Sequence, residues 1–291
     1  MRTLGKAVRR LELDLDVKLL ERLPRDVSPT LFREALAAHA HLIGDELDRA
    51  KSAIDDLRDG TVGQVVVGAG SSMRIDLLPR ASKALRDRAP GAKIKVVASL
   101  SDDLISDLKR GSLDVVLSMI PEPTADAALV HEPLYHDQNY PCVRPGHPLM
   151  ALSAIRPEDL LGYDWILPAT SNLSRQHLDA VFQAKGLRPP RVAIECNSAV
   201  FATRMNERSD LIGLLPTQVI VDDRRDAIVA LPAPEVTLSR MVGISYRRAS
   251  VLSPVTRLMI AEPHCASAEM VEEGKVTALG VDGAEPKPDV I

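Results

Sequence analysis

The chain has 291 residues, of which 45% are hydrophobic and 26% are charged, and it contains three cysteines. This length allows more than one packed core, because domains usually contain about 100–200 residues. No apolar stretch reaches the roughly 18 residues of a membrane-spanning helix, and no apolar run follows the basic N-terminus as it would in a secretory signal. We therefore expect a cytoplasmic protein with reduced thiols and no membrane contact.

Charge is distributed unevenly along the chain. The formal net charge is −4, which argues against a protein that coats nucleic acid over its whole surface. Residues 1–33, however, carry eight basic and five acidic side chains. A basic end on an acidic body indicates a small DNA-contacting module joined to a sensor. A solvated helix face of mixed charge is the alternative explanation of the same residues.

The first segment, residues 3–20, has the apolar spacing of an amphipathic helix. Its apolar positions are Leu4, Ala7, Val8, Leu11, Leu15 and Leu19. Basic side chains at Lys6, Arg9 and Arg10 occupy the other face. Residues 21–30 contain two prolines, which predicts a turn and a short extended excursion after the helix.

Residues 30–59 contain a heptad pattern with alternating steps of four and three residues. The seam consists of Leu36, Ala40, Ile43, Leu47, Ala50, Ile54 and Leu57. A seam this narrow favours pairing with a second helix, so we expect self-association through these residues. The alternative is one amphipathic helix that packs on its own domain. Gly60 and Gly63 predict the end of the helix and a hinge.

Beyond Gln64, short β-branched runs alternate with helical stretches. Strands are predicted over 64–69, 93–99, 113–119, 192–196, 211–216 and 242–247, and helices over 73–89, 101–111, 172–186 and 198–208. This alternation predicts an α/β protein with parallel strands in two small sheets. The proline-rich stretch 140–149 and residues 238–242 are the expected crossings between two lobes. Residues 263–291 lose all periodicity and are predicted to form a disordered tail.

Residues 4–23 resemble the end of the helix-turn-helix of the LysR-type transcriptional regulators. The matching positions are Lys6, Val8, Arg9, Arg10, Leu11, Glu12, Leu15, Val17, Leu19, Glu21 and Arg22. Gly5 replaces the family's usual serine and Asp16 its usual glycine. The family's first two DNA-binding helices would precede Met1, so we expect this chain by itself to bind DNA weakly or not at all.

The rest of the chain resembles the same family through residue 262. The motifs are Gly-x-Gly-Ser-Ser at 68–72, Gly-Ser-Leu-Asp-Val-Val at 111–116, Arg-Pro-Gly-His-Pro-Leu at 144–149 and Leu-Ile-Gly-Leu-Leu-Pro at 211–216. Residues 165–190 are most similar to the regulators of galactose-binding protein and of the protocatechuate pathway. The resemblance implies an α/β, two-lobed, periplasmic-binding-protein-like effector domain, preceded by a partial winged helix-turn-helix and a long linker helix.

The implied organisation has five parts. They are a partial winged helix-turn-helix at 1–29, a dimerisation helix at 30–60, lobe I at 61–140 plus 241–262, lobe II at 141–240, and the tail at 263–291. The implied partners are double-stranded promoter DNA, a small-molecule effector such as a carboxylate or sugar, and a second copy in a dimer or tetramer. For DNA contact, the side chains of suitable type are Arg2, Thr3, Lys6, Arg9, Arg10 and Arg25.

Small hydroxyl residues occur where predicted strands meet helices. By resemblance, the effector-binding residues are Ser71, Ser72, Ser101, Thr170, Ser171 and Ser198, with Arg175 as a carboxylate anchor. Helix N-termini at such junctions suit anions. The alternative is that each residue only caps its helix.

Other functions find less support in the sequence. No metalloprotease, nucleophile-elbow or P-loop motif is present, so we expect no enzyme, catalytic residue, metal or cofactor. Cys142 and Cys196 permit a redox sensor, but inert thiols are favoured. Two further alternatives are a dimerising sensor that has lost DNA binding and a solute-binding protein of the same two-lobed fold.

Overall fold

The computed structural model describes residues 2–23, 26–37, 39–40, 43–44, 47, 51, 54, 63–120, 126–221, 227–250 and 252–279. Helix α1 spans Arg2–Leu15, and strands β1 (Leu20–Leu23) and β2 (Asp26–Pro29) form an antiparallel hairpin after it. The helix ends five residues before the predicted boundary at residue 20.

The end of α1 is set by Asp16, whose φ of 51° is left-handed. The Val17 N–H then donates to the Glu12 carbonyl at 3.2 Å, which closes the last turn. This left-handed conformation favours glycine over the aspartate present here, because glycine adopts it without steric cost. The Glu12 carboxylate also accepts the Leu19 N–H at 2.9 Å and thereby joins helix and hairpin.

The predicted linker helix begins after Thr30, whose hydroxyl accepts the Arg33 N–H. Residues 31–37, 39–40, 43–44, 47, 51 and 54 are helical, and we label these positions α2. Of the predicted seam, Ile43, Leu47 and Ile54 are 62–65% exposed. Leu36 is half-buried and Ala40 is exposed, while Ala50 and Leu57 lie outside the described residues.

The rest of the chain follows as an alternation of strands and helices. In chain order the elements are β3 (Gln64–Ala69), α3 (Leu77–Arg88), β4 (Lys93–Ala98), α4 (Ser101–Arg110), β5 (Val115–Met119), β6 (Leu129–Val143), α5 (Pro157–Leu160), β7 (Asp164–Leu167), α6 (Leu173–Ala184), β8 (Arg191–Glu195), α7 (Ala199–Asn206), β9 (Ile212–Pro216), α8 (Thr217–Val221), β10 (Val229–Ala230), β11 (Leu238–Arg247) and α9 (Pro254–Glu272). None of the helices in these described ranges is long and apolar enough to cross a membrane.

The strands form one mixed sheet rather than the two small sheets predicted. In the order β4-β3-β5-β11-β6-β9-β7-β8, the three strands at each end run parallel to one another. The long strands β6 and β11 pair antiparallel and join the two ends. The prediction failed because β6 carries polar residues and two prolines along its length, which hid it as a strand.

Separate apolar cores define two lobes around the crossing strands. Tyr135 and Val242 pack in the lobe I core, and Tyr140 and Leu238 pack in cores of lobe II. Strand β6 therefore crosses between Tyr135 and Tyr140, before the proline-rich stretch 140–149 that was expected to do so. Strand β11 crosses between Leu238 and Val242.

The predicted tail is wrong for its first part, because α9 continues through Pro263 to Glu272. Met259, Ala266 and Met270 are buried in the lobe I core, so packing outweighs the hydrogen bond that the proline removes. Beyond the helix, Thr277 exchanges backbone hydrogen bonds with His136 at 2.9 and 3.0 Å. Residues 280–291 of the predicted tail lie outside the described residues.

Candidate functional site

The interlobe cleft is a cavity of about 80 Å³ where strand ends of both lobes meet. Lobe I contributes Ser71, after β3, and Leu100, after β4. Lobe II contributes the starts of α6 and α7, and the crossing strands contribute Asn139 and Arg240. In open α/β sheets, ligands bind in this position beyond the carboxyl ends of parallel strands.

Arg240 supplies a positive charge to the cleft. Its Nε donates to the Asp137 carboxylate at 2.9 Å, its Nη2 donates to the same oxygen, and its Nη2 also donates to the Ser72 hydroxyl at 2.8 Å. The Arg240 side chain is 9% exposed and the Asp137 side chain is fully buried. Both residues lie on crossing strands, so the ion pair fixes the guanidinium at the junction of the lobes.

Two helix N-termini converge on the same cleft. The Asn172 side chain caps α6 by accepting the Ser174 N–H at 2.9 Å, and Ser198 caps α7 by accepting the Phe201 N–H at 3.3 Å. Each cap satisfies only part of the free N–H groups of a first helical turn. The positive ends of both helix dipoles therefore favour an anion in the cleft.

Asn139 brings a polar atom without a partner into the cleft lining. Its Nδ2 donates to the Ser174 hydroxyl at 2.8 Å, while its buried Oδ1 has no hydrogen bond within the described part of the chain. An unsatisfied buried acceptor costs about 1–3 kcal/mol. A ligand that donates a hydrogen bond here would recover that free energy.

The structure brings together some of the predicted effector residues. Ser71 and Ser198 line the cavity, and Ser72 lies behind it, bonded to Arg240. Ser101 begins α4 next to the lining residue Leu100, without being part of the lining. Thr170 and Ser171 are exposed and outside the lining.

Arg175, the predicted carboxylate anchor, is not part of the cavity lining. Its Nε donates to the Asp179 carboxylate at 2.9 Å, and its Nη1 donates to the Pro168 carbonyl at 3.5 Å. The first contact lies within α6, and the second ties α6 to the end of β7. The arginine that lines the cleft is Arg240, and the sequence signal that could have found it is a cation inside the predicted crossing 238–242, where Leu238, Met241 and Val242 are apolar.

The predicted DNA-contacting residues lie on α1 and the hairpin. Lys6, Arg9 and Arg10 are exposed on α1. Arg2 and Thr3 belong to its first turn, without a described side chain, and Arg25 lies outside the described residues. Leu11, Leu13 and Leu15 on the same helix are 44%, 78% and 47% exposed.

The cysteines occupy three different environments. Cys142 is buried, and burial raises the pKa of its thiol, so it is held as an unreactive thiol. Cys196 is half-buried and lines the cleft next to the start of α7, and Cys265 is exposed on α9.

Comparisons with known proteins place these features in one family. The family described as LysR substrate binding domain matches residues 58–264. The HTH-type transcriptional regulator GbpR of Azospirillum brasilense is 27% identical over 259 residues, covering 88% of this chain and 76% of the relative. PcaQ of Agrobacterium fabrum, also an HTH-type transcriptional regulator, is 27% identical over 258 residues, covering 88% of this chain and 83% of the relative.

Solved structures show the same fold. The crystal structure of CbnR, a LysR family transcriptional regulator, superimposes with a TM-score of 0.65 at 17% identity, covering 90% of this chain and 88% of that one. Full-length CbnR in complex with its target DNA gives a TM-score of 0.67 at 18% identity, covering 91% of this chain and 90% of that one.

Proposed function

The chain belongs to the LysR family, and we propose that it is a DNA-binding transcriptional regulator controlled by a small-molecule effector in the interlobe cleft. The observation that carries the proposal is the convergence of Arg240 with the N-termini of α6 and α7 in one cavity. The curated relatives GbpR and PcaQ are transcriptional regulators, which supports the regulatory role.

The cleft's chemistry favours a small carboxylate that also carries a hydroxyl group. The guanidinium and the helix N-termini attract the carboxylate, and the free Oδ1 of Asn139 accepts from the hydroxyl. The cavity of about 80 Å³ is smaller than the roughly 150 Å³ that holds benzene in an engineered cavity. An aliphatic hydroxy acid fits this size and polarity.

Regulation follows from contacts with both lobes. An effector in the cleft touches Ser71 of lobe I, Ser198 of lobe II and Arg240 between them. It binds the closed arrangement more strongly than the open one and so shifts the population towards closure. With two chains paired through the exposed α2 seam, this movement changes the spacing of the two DNA-contacting ends.

A second candidate function is a sensor that dimerises without reading DNA itself. The exposed leucines of α1, Leu11, Leu13 and Leu15, favour it, because a helix-turn-helix buries this type of surface against a supporting helix. A gel-shift assay with the DNA upstream of the gene distinguishes the candidates. The regulator gives a shifted complex whose affinity responds to the effector, whereas the DNA-free sensor gives none.

Calorimetric titration with glycolate, lactate and glycerate tests the effector class, with acetamide as the uncharged control. We expect saturable binding of at least one acid and none of acetamide. Arg240→Lys keeps the charge but loses the planar fork, and we expect at least tenfold weaker binding, since a charged hydrogen bond contributes about 1.5–3 kcal/mol.

Arg175→Lys is the matched control, because Arg175 is equally buried and ion-paired but lies outside the cleft lining. This variant should bind the acid with an affinity within about threefold of the unsubstituted chain, which corresponds to ~0.7 kcal/mol in binding free energy. Equal losses in the two variants would contradict the assignment of Arg240, and a cleft that binds none of the acids would refute the effector class.

A further inference from the structure

A second cavity of about 410 Å³ lies next to the cleft. We call it the side cavity. Its walls come from the end of β5, from α6 and from the crossing strands, and they consist of Met119, Ile120, His136, Leu173, His177, Ser239, Arg240 and Met241. Arg240 is the one residue that also lines the cleft.

The two cavities use opposite sides of the first turn of α6. Asn172 and Ser174 face the cleft, whereas Leu173 and His177, four residues apart on one helix face, line the side cavity. A ligand in one cavity therefore occupies a different space from a ligand in the other.

The walls of the side cavity combine an apolar surface with basic groups. Met119, Ile120, Leu173 and Met241 supply the apolar surface, and the described residues of the lining include no aspartate or glutamate. Arg240 and two imidazoles supply hydrogen-bond donors, with His136 half-buried and His177 exposed at the mouth. Methionine thioethers make favourable contacts with aromatic rings.

We infer that the side cavity is a second binding site, which takes an aromatic carboxylate. The ring lies between Met119, Leu173 and Met241, and the carboxylate faces Arg240 and His136. The volume falls within the range of roughly 300–1,000 Å³ typical of small-molecule sites. The inference does not depend on the cleft being an effector site, because the side cavity and the cleft share no lining residue other than Arg240.

Methyl NMR of the full chain with ¹³C-methyl methionine tests the inference, with benzoate as the probe. The chain has eight methionines, of which Met119 and Met241 line the side cavity. We expect their methyl signals to shift saturably with benzoate, while the signals of the core residue Met73 and the exposed Met150 stay in place. Absence of a saturable shift up to about 10 mM benzoate, tenfold above a Kd of ~1 mM, would overturn the inference.

Two tryptophan substitutions then locate the bound probe. Ser239→Trp fills the mouth of the side cavity from an exposed position on β11, and Ala199→Trp fills the cleft. We expect Ser239→Trp to weaken benzoate binding at least tenfold and Ala199→Trp to leave it unchanged. If Ser239→Trp does not fold, Leu173→Ala, which removes one apolar wall, should weaken binding instead.

If only Ala199→Trp weakened benzoate binding, the benzoate would lie in the cleft, and the inference of a second binding site would be wrong. That outcome would leave the effector role of the cleft intact. The affinity of Ser239→Trp for glycolate, lactate and glycerate is measured in the same experiment. If this affinity is unchanged while benzoate binding is lost, the substitution has affected the side cavity and not the cleft.

Discussion

Arg240 and Asp137 face each other directly across strands β11 and β6 and form a buried ion pair where the two lobes meet. Burying the two charges costs desolvation free energy, so the pair adds little to the stability of the fold. Its effect is to place a cation between the two cavities. The Ser72 hydroxyl completes the arrangement from lobe I.

Removing the charge of only one partner of this ion pair should destabilise the fold strongly. Asp137→Asn leaves the guanidinium buried without its carboxylate, and we expect a loss of about 3–5 kcal/mol in the free energy of unfolding. Replacing both residues, as in Asp137→Leu with Arg240→Met, should restore most of the stability but abolish acid binding in the cleft. Urea unfolding and calorimetry measure the two effects, and a stable, acid-binding double variant would contradict the role of Arg240.

The α2 seam should control self-association. Leu47 is 65% exposed in the single chain, and Leu47→Glu places a charge in the seam, so we expect the dimer Kd to rise at least tenfold. Glu34→Lys changes charge at an exposed helical position away from the seam and its flanking positions and is the control. Sedimentation velocity over a concentration series measures both, and a dimer unaffected by Leu47→Glu would show that another surface holds it.

Substitutions of Asp16 test whether the left-handed backbone at this position explains why the family usually has glycine there. Its φ of 51° favours glycine, so Asp16→Gly should stabilise the end of α1 or leave it unchanged. Asp16→Val should destabilise it by about 1–2 kcal/mol, because a β-branched residue is strained in this conformation. Amide exchange of α1 measures the difference, and equal protection in the two variants would show that the strain is relieved by a shift of the turn.

Much of the fold was predictable because it depends on local pattern. Strands β3, β5 and β9 and the starts of helices α6 and α7 lie at or near their predicted positions. Strand β11 was predicted only over 242–247, and β6 was missed, since the long-range pairing between them leaves no local periodicity over most of their length. The same applies to Arg240, whose role depends on Asp137, a partner 103 residues away.

The course of α9 was missed for a related reason. Pro263 is a local signal for a helix end, but the buried face of Met259, Ala266 and Met270 lies against α3, which the sequence does not reveal. Packing free energy from a distant helix overrides a local signal of this kind.

The C-terminal end of α9 should loosen at acidic pH. Glu273 receives hydrogen bonds from Arg80 and an ion pair from Lys275, and these cations lower the pKa of its carboxyl from 4.5 to about 2. Burial acts in the opposite direction on Asp76, but Arg80 and Lys275 outweigh it and lower the pKa of that carboxyl too.

Because both folded-state pKa values are depressed, their stabilising effect is present above the unfolded values and is lost as pH falls. For Glu273 the loss falls between about pH 4.5 and pH 2. We expect Glu273→Gln to lower stability at pH 6, with the difference from the unsubstituted chain disappearing towards pH 2. Urea unfolding across this range measures it, and a difference that persists at pH 2 would exclude the carboxylate as its cause.

The cysteines provide a test of the cleft that needs no substitution. Cys265 is exposed, Cys196 is half-buried in the cleft lining, and Cys142 is buried with its thiol pKa raised by desolvation. We expect a thiol reagent to label Cys265 first, Cys196 next and Cys142 only on unfolding. An acid bound in the cleft should slow labelling of Cys196 at least threefold without affecting Cys265, which serves as the internal control. Mass spectrometry of the labelled chain measures each rate, and equal slowing at both sites would mean that the acid acts by stabilising the whole chain rather than by occupying the cleft.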